Sequence, residues 1–289
     1  MEKLGVWPAR LLWVVLALVA GPVVGDALDG RSTAVRVVVA VGLWVGWGAG
    51  AVALLVPRSA ALTALRILVP AGLAAVLAAM VTGGPVDGFD AAAVAIGALA
   101  TVAVLVPWVG EAWVDGSSYG PEHRLPLRPS PLVGFVLVPL TWAVVVAGAA
   151  AGPLLLATGQ WLAGIVVLAL GWGAAFAGVR SLHQLSRRWV VFVPSGLVIH
   201  DALVMPEPQL ILRHMITNLG PALADTEATD LTGGAAGLIL QIDLAEPLDL
   251  LLREGRAGST TSPAAAILFM PTRPLRVLEA ASRRRIPVG

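Results

Sequence analysis

Apolar and polar positions are distributed differently on the two sides of residue 179. Six long apolar runs come first: Trp7–Val24, Ala34–Val56, Ala61–Thr82, Ala91–Val109, Leu132–Ala151 and Trp161–Val179. A helix needs about 20 apolar residues to cross the hydrocarbon core of a bilayer, and each run meets or approaches that length. The pattern predicts an integral membrane α-helical bundle of about six transmembrane helices over residues 1–179.

Beyond Val179 the apolar runs are short, with Pro, Gly and charges between them. This is the pattern of strands and turns, and it predicts a small β-rich α+β domain over residues 180–289. Strands are expected at Trp189–Val193 and Leu197–His200, joined by the turn Pro194-Ser195-Gly196. Short strands follow at Leu203–Met205, Gln209–Arg213 and on to Leu219. Gly237–Leu244 alternates, with Leu238, Leu240, Ile242 and Leu244 on one face. Leu248–Leu252 and Ala264–Met270 complete the set, and the Gly/Ser/Thr-rich stretch Arg253–Pro263 reads as a loop. A closing helix starts at the N-cap candidate Thr272. It runs through Leu275, Leu278 and Ala281 and ends at Arg283-Arg284-Arg285, where basic residues meet the negative end of the helix dipole. Together the strands and helix suggest a small barrel or sandwich capped by a helix.

Composition points the same way. Of 289 residues, 57% are hydrophobic and 13% charged, with a mean hydropathy of +0.85. Soluble domains run at about 45–50% apolar and about 25% charged, so a wholly soluble enzyme is disfavoured and a disordered chain is excluded. Net charge is +1, which gives no global field to draw nucleic acid. Cysteine is absent, and with it disulfides, thiolate metal sites and cysteine nucleophiles.

Charge asymmetry sets the expected orientation. With the N-terminus inside, Lys3, Arg10, Arg58, Arg66, Arg124, Arg128, Arg180, Arg187 and Arg188 fall on the cytoplasmic side. Only Arg31 and Arg36 fall outside, beside Asp26, Asp29, Asp87 and Asp90. Six spans return the chain to the cytoplasm, so both termini and the β-rich domain are expected there, at the cell membrane. Met1–Arg10 and Leu11–Ala20 also suit a signal peptide, but Val23-Val24-Gly25-Asp26 fits a small-x-small cleavage site poorly. Trp7, Trp108, Trp113, Trp161 and Trp189 lie near expected interfaces; Trp44, Trp47, Trp142 and Trp172 lie deeper and read as packing residues.

Small residues recur at helical spacing: Gly42, Gly46 and Gly50 in the second run, Gly148 and Gly152 in the fifth, and Ala169, Gly173 and Ala177 in the sixth. Such stripes let helices approach closely. They read first as bundle packing, with a homo-oligomer interface at Gly42, Gly46 and Gly50 as the alternative. No Asp, Glu, His or Lys occupies the middle third of a span, which argues against proton- or ion-coupled transport. Arg66 reads as an anchor that snorkels to the cytoplasmic interface. Pro70 and Pro139 are positioned to kink their helices.

The most polar membrane-proximal stretch is 110–131. It carries Tyr119, Glu122, His123 and Arg124, an acid, a base and a cation in sequence. Adjacent residues on an extended loop diverge, so a loop docked on the β-rich domain is the first reading and a catalytic loop the alternative. The histidines are scattered, and neither a metal site nor a cofactor is expected. Arg180, Arg187 and Arg188, with Arg283, Arg284 and Arg285 if the last helix points toward the bilayer, form a candidate basic surface for anionic lipid or a partner.

The strand, Pro-Ser-Gly turn and strand of Arg188–Asp201, with the closing helix Thr272–Arg285, resemble bacterial pleckstrin-homology-like domains. The whole chain resembles uncharacterised actinobacterial multi-pass membrane proteins. The resemblance implies a domain that binds proteins or lipid head groups rather than one that catalyses. The expectation is therefore a non-catalytic accessory or adaptor subunit in the lipid bilayer, engaging a membrane or cytoplasmic protein partner or anionic lipid, with homo-oligomerisation open and nucleic acid excluded. A transporter or channel component and a lipid-acting membrane enzyme using the 110–131 loop are the alternatives.

Overall fold

A computed structural model describes residues 6–83, 86–255 and 258–289; Lys3, counted above, lies outside them. The chain forms two compact units: Met1–Trp113 with Pro139–His183, and Val114–Val138 with Gln184–Gly289. The sequence boundary near Arg180 falls close to this division. The segment 114–138 belongs with the C-terminal half, although it lies between two apolar helices.

The helical unit contains α1 (Trp7–Leu28), α2 (Thr33–Leu55), α3 (Ser59–Thr82), α4 (Gly88–Leu105), the start of the short α5 (Pro107–Asp115), α6 (Val138–Ala157) and α7 (Trp161–Leu185). Among the described residues, six helices are long and apolar enough to cross a membrane, α6 being counted from Val133. The fourth stops at Leu105, short of the expected Val109, because Pro107 starts a new helix. Asp87 caps α4, accepting from Phe89 and Asp90 N–H, while Asp90 accepts from Asp87 N–H. A π-helical turn, Val133–Leu137, precedes α6, with Val138 N–H bonded to Val133 O. Pro139 follows directly; lacking an N–H, it breaks the α ladder. Pro70 and Pro153 lie inside α3 and α6.

The centre of the α1–α2 contact is a reciprocal tryptophan clasp. Trp13 Nε1 donates to Trp47 O at 3.0 Å and Trp47 Nε1 to Trp13 O at 3.2 Å. Gly50 makes room for it: a Cβ there would lie 2.6 Å from the Trp13 ring. The expected Gly42–Gly46–Gly50 stripe is therefore divided. Gly50 is filled from within the chain, whereas Gly42 has nothing within 4 Å, so the stripe is not one continuous outer interface. In the α6–α7 pair the backbones touch at glycine: a Cβ on Gly148 would meet Gly171 O at 2.5 Å, and one on Gly152 would meet Leu168 Cα at 2.5 Å. The expected Ala169–Gly173–Ala177 stripe is not the one used, since Gly173 is exposed with nothing within 4 Å. Trp142 Nε1 joins α6 to α3 through Ile67 O at 3.0 Å.

Four tryptophan assignments change. Trp113 is buried and donates to Ala53 O at 2.9 Å, and Trp189 is buried in the other unit. Trp44 and Trp172, expected to pack inside, are exposed.

The sheet unit consists of two four-stranded sheets and a helix. The first is antiparallel in the order β1 (His123–Pro126), β2 (Trp189–Val193), β3 (Gly196–His200), β4 (Gln209–Leu212). The second runs β5 (Ile216–Pro221), β7 (Leu240–Glu254), β8 (Gly258–Phe269), β6 (Thr229–Asp230), with β6 parallel to β8. Phe192, Leu197, Ile199, Ile211, Leu219, Ile242, Ile267 and Phe269 form its core with Val277 and Ala281 of α8 (Pro274–Arg283).

The 110–131 stretch is thus not only a loop. It contributes β1, in register with β2 from His123–Phe192 to Pro126–Trp189. The described part of Arg253–Pro263 is not a loop either, residues 256–257 lying outside the described residues: Arg253 pairs with Ser259 and Asp249 with Pro263 in a long β7–β8 hairpin. Pro263 is tolerated because β8 has only β7 beside it at that point. Leu203–Met205 is a turn, not a strand. The Asp201 side chain accepts from Leu203 N–H, and its carbonyl from Val204 and Met205 N–H. Leu238 is exposed, outside the buried alternation of Leu240 and Ile242. Thr272 does not cap α8: its hydroxyl and N–H both donate to Pro126 O, so it pins β1. Leu275 is exposed, and the buried face of α8 is Val277, Ala280 and Ala281.

A buried ion pair links the two ends of the β2–β3 hairpin. Arg188 Nε donates to Asp201 Oδ1 at 2.8 Å and Nη2 to Oδ2 at 2.6 Å, with side chains 4% and 0% exposed. Arg188 Nη1 also reaches Arg128 O at 3.4 Å, while Leu127 N–H donates to Arg188 O.

Removing one partner of a buried pair strands a charge and costs about 3–5 kcal/mol. Asp201→Ala and Arg188→Ala should each destabilise the sheet unit by that order, read by denaturant unfolding of the protein in micelles. Arg188→Met/Asp201→Leu together should lose clearly less. In the helical unit, Gly50→Leu should lower the melting temperature markedly, because overpacking costs about 1–3 kcal/mol or more, while Gly42→Leu should leave it nearly unchanged.

Candidate functional site

The residues singled out around 119–124 are held in a turn-closing network. Asp115, at the end of α5, is its hub. Its Oδ1 accepts from His123 Nδ1 at 3.1 Å, from Arg124 N–H at 2.9 Å and from the Ser118 hydroxyl at 2.9 Å. Glu122 Oε2 accepts from Arg124 Nη2 at 3.1 Å, and the Arg124 guanidinium lies 5.4 Å from the Trp189 ring centroid. Tyr119 is 79% exposed. Glu122, His123 and Arg124 take different partners: His123 turns to Asp115, and Arg124 to Glu122 and Trp189. The network ties α5 to β1, and Asp115 is the member the sequence reading left out of the site. Partial burial pushes the Asp115 carboxyl up, but the His123, Arg124 and Ser118 hydrogen bonds outweigh it and hold the pKa below the usual aspartate value.

The candidate basic surface is rearranged. Arg188 is withdrawn from it, buried against Asp201. Arg187 is exposed and its carbonyl accepts from His200 Nδ1 at 2.8 Å. Arg180 is exposed on α7, in the helical unit. Arg283, Arg284 and Arg285 instead meet Arg213, which the sequence reading did not include. These four line a cleft of about 190 Å³ with Val193, Pro194, Gly196 and Ile286.

Local structure explains the convergence. Gly196 pairs with Leu212, and Arg213 N–H donates to Ser195 O, which sets Arg213 beside the β2–β3 turn. The end of α8 is a Schellman motif: Arg285 N–H bonds Ser282 O at 3.0 Å and Ile286 N–H bonds Ala281 O at 3.1 Å. Buried Ile286 locks the chain after it. Arg285 occupies the left-handed position of that motif at φ 59°, the only non-glycine residue with positive φ among the described residues. Glycine is the usual occupant, because a Cβ there costs roughly 1–2 kcal/mol. Arg284 is pre-positioned, with Nη2 donating to Pro121 O and its guanidinium 5.5 Å from the Phe192 ring centroid. Among the described residues, none of the four arginines has a carboxylate partner.

The helical unit has two further features. Arg66 does not snorkel outward: its Nε is buried with no hydrogen-bond partner among the described residues, and a Cβ on Gly110 would lie 2.9 Å from its Nη2. Nearby in sequence, Glu111 is 4% exposed, while Thr63 Oγ1 meets His183 Nδ1 at 3.0 Å. An apolar cavity of about 390 Å³ lies among α1, α2 and α3, lined by Trp13, Gly21, Gly42, Trp44, Gly46 and Gly72 among others. No group of three or more His, Cys, Asp or Glu side chains able to hold a metal occurs among the described residues.

Against this geometry, no family model, curated protein or solved structure matches the chain.

Because the Asp115 pKa is depressed in the folded state, its contribution to stability is full above the unfolded-state value. It is lost as pH falls through the folded value. Asp115→Asn should therefore lower the melting temperature at neutral pH and flatten its further decline on acidification, measured from pH 7 to pH 3.

Proposed function

We propose that the chain is a multi-pass protein of the cell membrane whose sheet unit is a cytoplasmic, non-catalytic adaptor, engaging anionic lipid or a protein partner. Several observations support the membrane reading. The six helices have the required length and apolarity, and large apolar side chains such as Leu18, Val81, Leu162 and Phe176 face outward at 70–86% exposure. The asymmetry of arginine and lysine between alternate loops favours cytoplasmic termini. Two sheets closed by a C-terminal helix suit a pleckstrin-homology-like module.

The observation that carries the adaptor reading is the arginine cleft. Four arginines line one surface recess, and among the described residues none of them is paired with a carboxylate. Unpaired positive charge is retained where a partner supplies the negative charge. By contrast, Glu122, His123 and Arg124 are engaged in closing a turn, so the acid–base residues of this region are already structural.

The reading is tested by native mass spectrometry of the chain released from its own membranes in mild detergent. We expect a stoichiometric lipid or protein adduct on the wild type that is lost from Arg283→Ala/Arg284→Ala/Arg285→Ala, with the melting temperature kept. Identical adduct patterns on both proteins would refute the adaptor role of this surface.

A further inference from the structure

We infer that the cleft at the end of α8 binds a single phosphate group, held by Arg213, Arg283, Arg284 and Arg285. The inference rests on the adaptor reading of the same surface and names the chemistry that it recognises. Three observations select phosphate.

The first is size. The cleft holds about 190 Å³, below the roughly 300–1,000 Å³ of pockets that enclose a whole organic ligand. It takes a group, with the remainder of the ligand outside.

The second is charge. One guanidinium satisfies a carboxylate with two parallel hydrogen bonds. Four arginines around one recess exceed that need, whereas a phosphate monoester carries about −1.5 to −2 charge and three acceptor oxygens. The three arginines of the chain terminus follow one another at a helix C-terminus, whose negative dipole end offsets part of their mutual repulsion.

The third is the backbone. The left-handed position at the helix end is occupied by Arg285 although glycine would relieve it. The strained residue lines the cleft, so the chain places a guanidinium-bearing side chain there at a conformational cost. Arg284 is already fixed by Pro121 O and the Phe192 ring, which reduces the ordering entropy lost when a ligand binds.

The test uses the full chain and an arginine-specific reagent, phenylglyoxal, with modification mapped by mass spectrometry. The probes are inorganic phosphate added to protein in a phosphate-free glycoside detergent, and phosphatidic acid in phosphatidylcholine nanodiscs. Ionic strength is matched with chloride throughout. Phosphate should slow modification of Arg213 and of Arg283–Arg285 selectively, leaving Arg253 unaffected. Protection by inorganic phosphate but not by phosphatidic acid identifies a soluble phosphate compound as the source; protection by phosphatidic acid identifies a lipid headgroup. Arg285→Gly separates binding from folding. It should raise or maintain the melting temperature while weakening phosphate protection about tenfold, the scale of one lost charge-assisted hydrogen bond. Equal protection by chloride, protection by neither probe, or unchanged binding in Arg285→Gly would overturn the assignment. The adaptor reading would then stand or fall separately, on whether the wild type carries an adduct that the triple alanine variant lacks.

Discussion

The buried Arg188–Asp201 pair holds together parts of the sheet unit that the chain order separates. Its two ends flank the β2–β3 hairpin, one step beyond the Trp189–His200 pairing. From there Arg188 reaches Arg128 O, and its carbonyl takes the N–H of Leu127. The segment that runs between two apolar helices is thereby fixed as the edge strand β1. Asp201 has a second role, since its side chain and carbonyl shape the turn that leads toward β4. A charge pair this dry is weak evidence for stability in itself, because desolvation offsets its attraction. Its effect is to specify register: neither group tolerates burial without the other.

The consequence for function is indirect but definite. With β1 in place, Pro121 O presents an acceptor to Arg284, and the β2–β3 turn presents Ser195 O to Arg213. The Schellman end of α8 then brings Arg285 to the same recess. One arginine of the basic set is consumed inside the fold so that others are positioned on its surface. In the helical unit, by contrast, tryptophan and glycine set the geometry. The Trp13–Trp47 clasp satisfies two indole N–H groups internally, as an apolar environment requires.

Much of this architecture was legible in the sequence. The six helices, the β2–β3 hairpin around Pro194-Ser195-Gly196 and the closing helix are local patterns, and each appears near its expected place. What was not legible depends on distant partners. β1 exists because His123–Pro126 finds Phe192–Trp189, and no local signal in a Pro-rich loop reports that pairing. Ser259–Pro263 is strand because β7 lies beside it, despite a composition that suits a loop. The burial of Arg188 depends on Asp201, so a juxtamembrane arginine that looks like positive-inside charge is structural. Arg213 was missed because it joins the cleft through sheet register. The helix end at Arg283 was legible, but the absence of glycine concealed the left-handed turn at Arg285.

The central proposal is that the six apolar helices lie in the membrane and that the sheet unit is cytoplasmic. The chain has no cysteine, which allows a direct measurement. Single cysteines at Gln160→Cys and Ser282→Cys, both at exposed positions, are treated with a membrane-impermeant maleimide on intact cells and after permeabilisation. The account requires Gln160→Cys to label on intact cells and Ser282→Cys only once the membrane is opened. Labelling of Ser282→Cys from outside, or recovery of the protein in the soluble fraction, would contradict it.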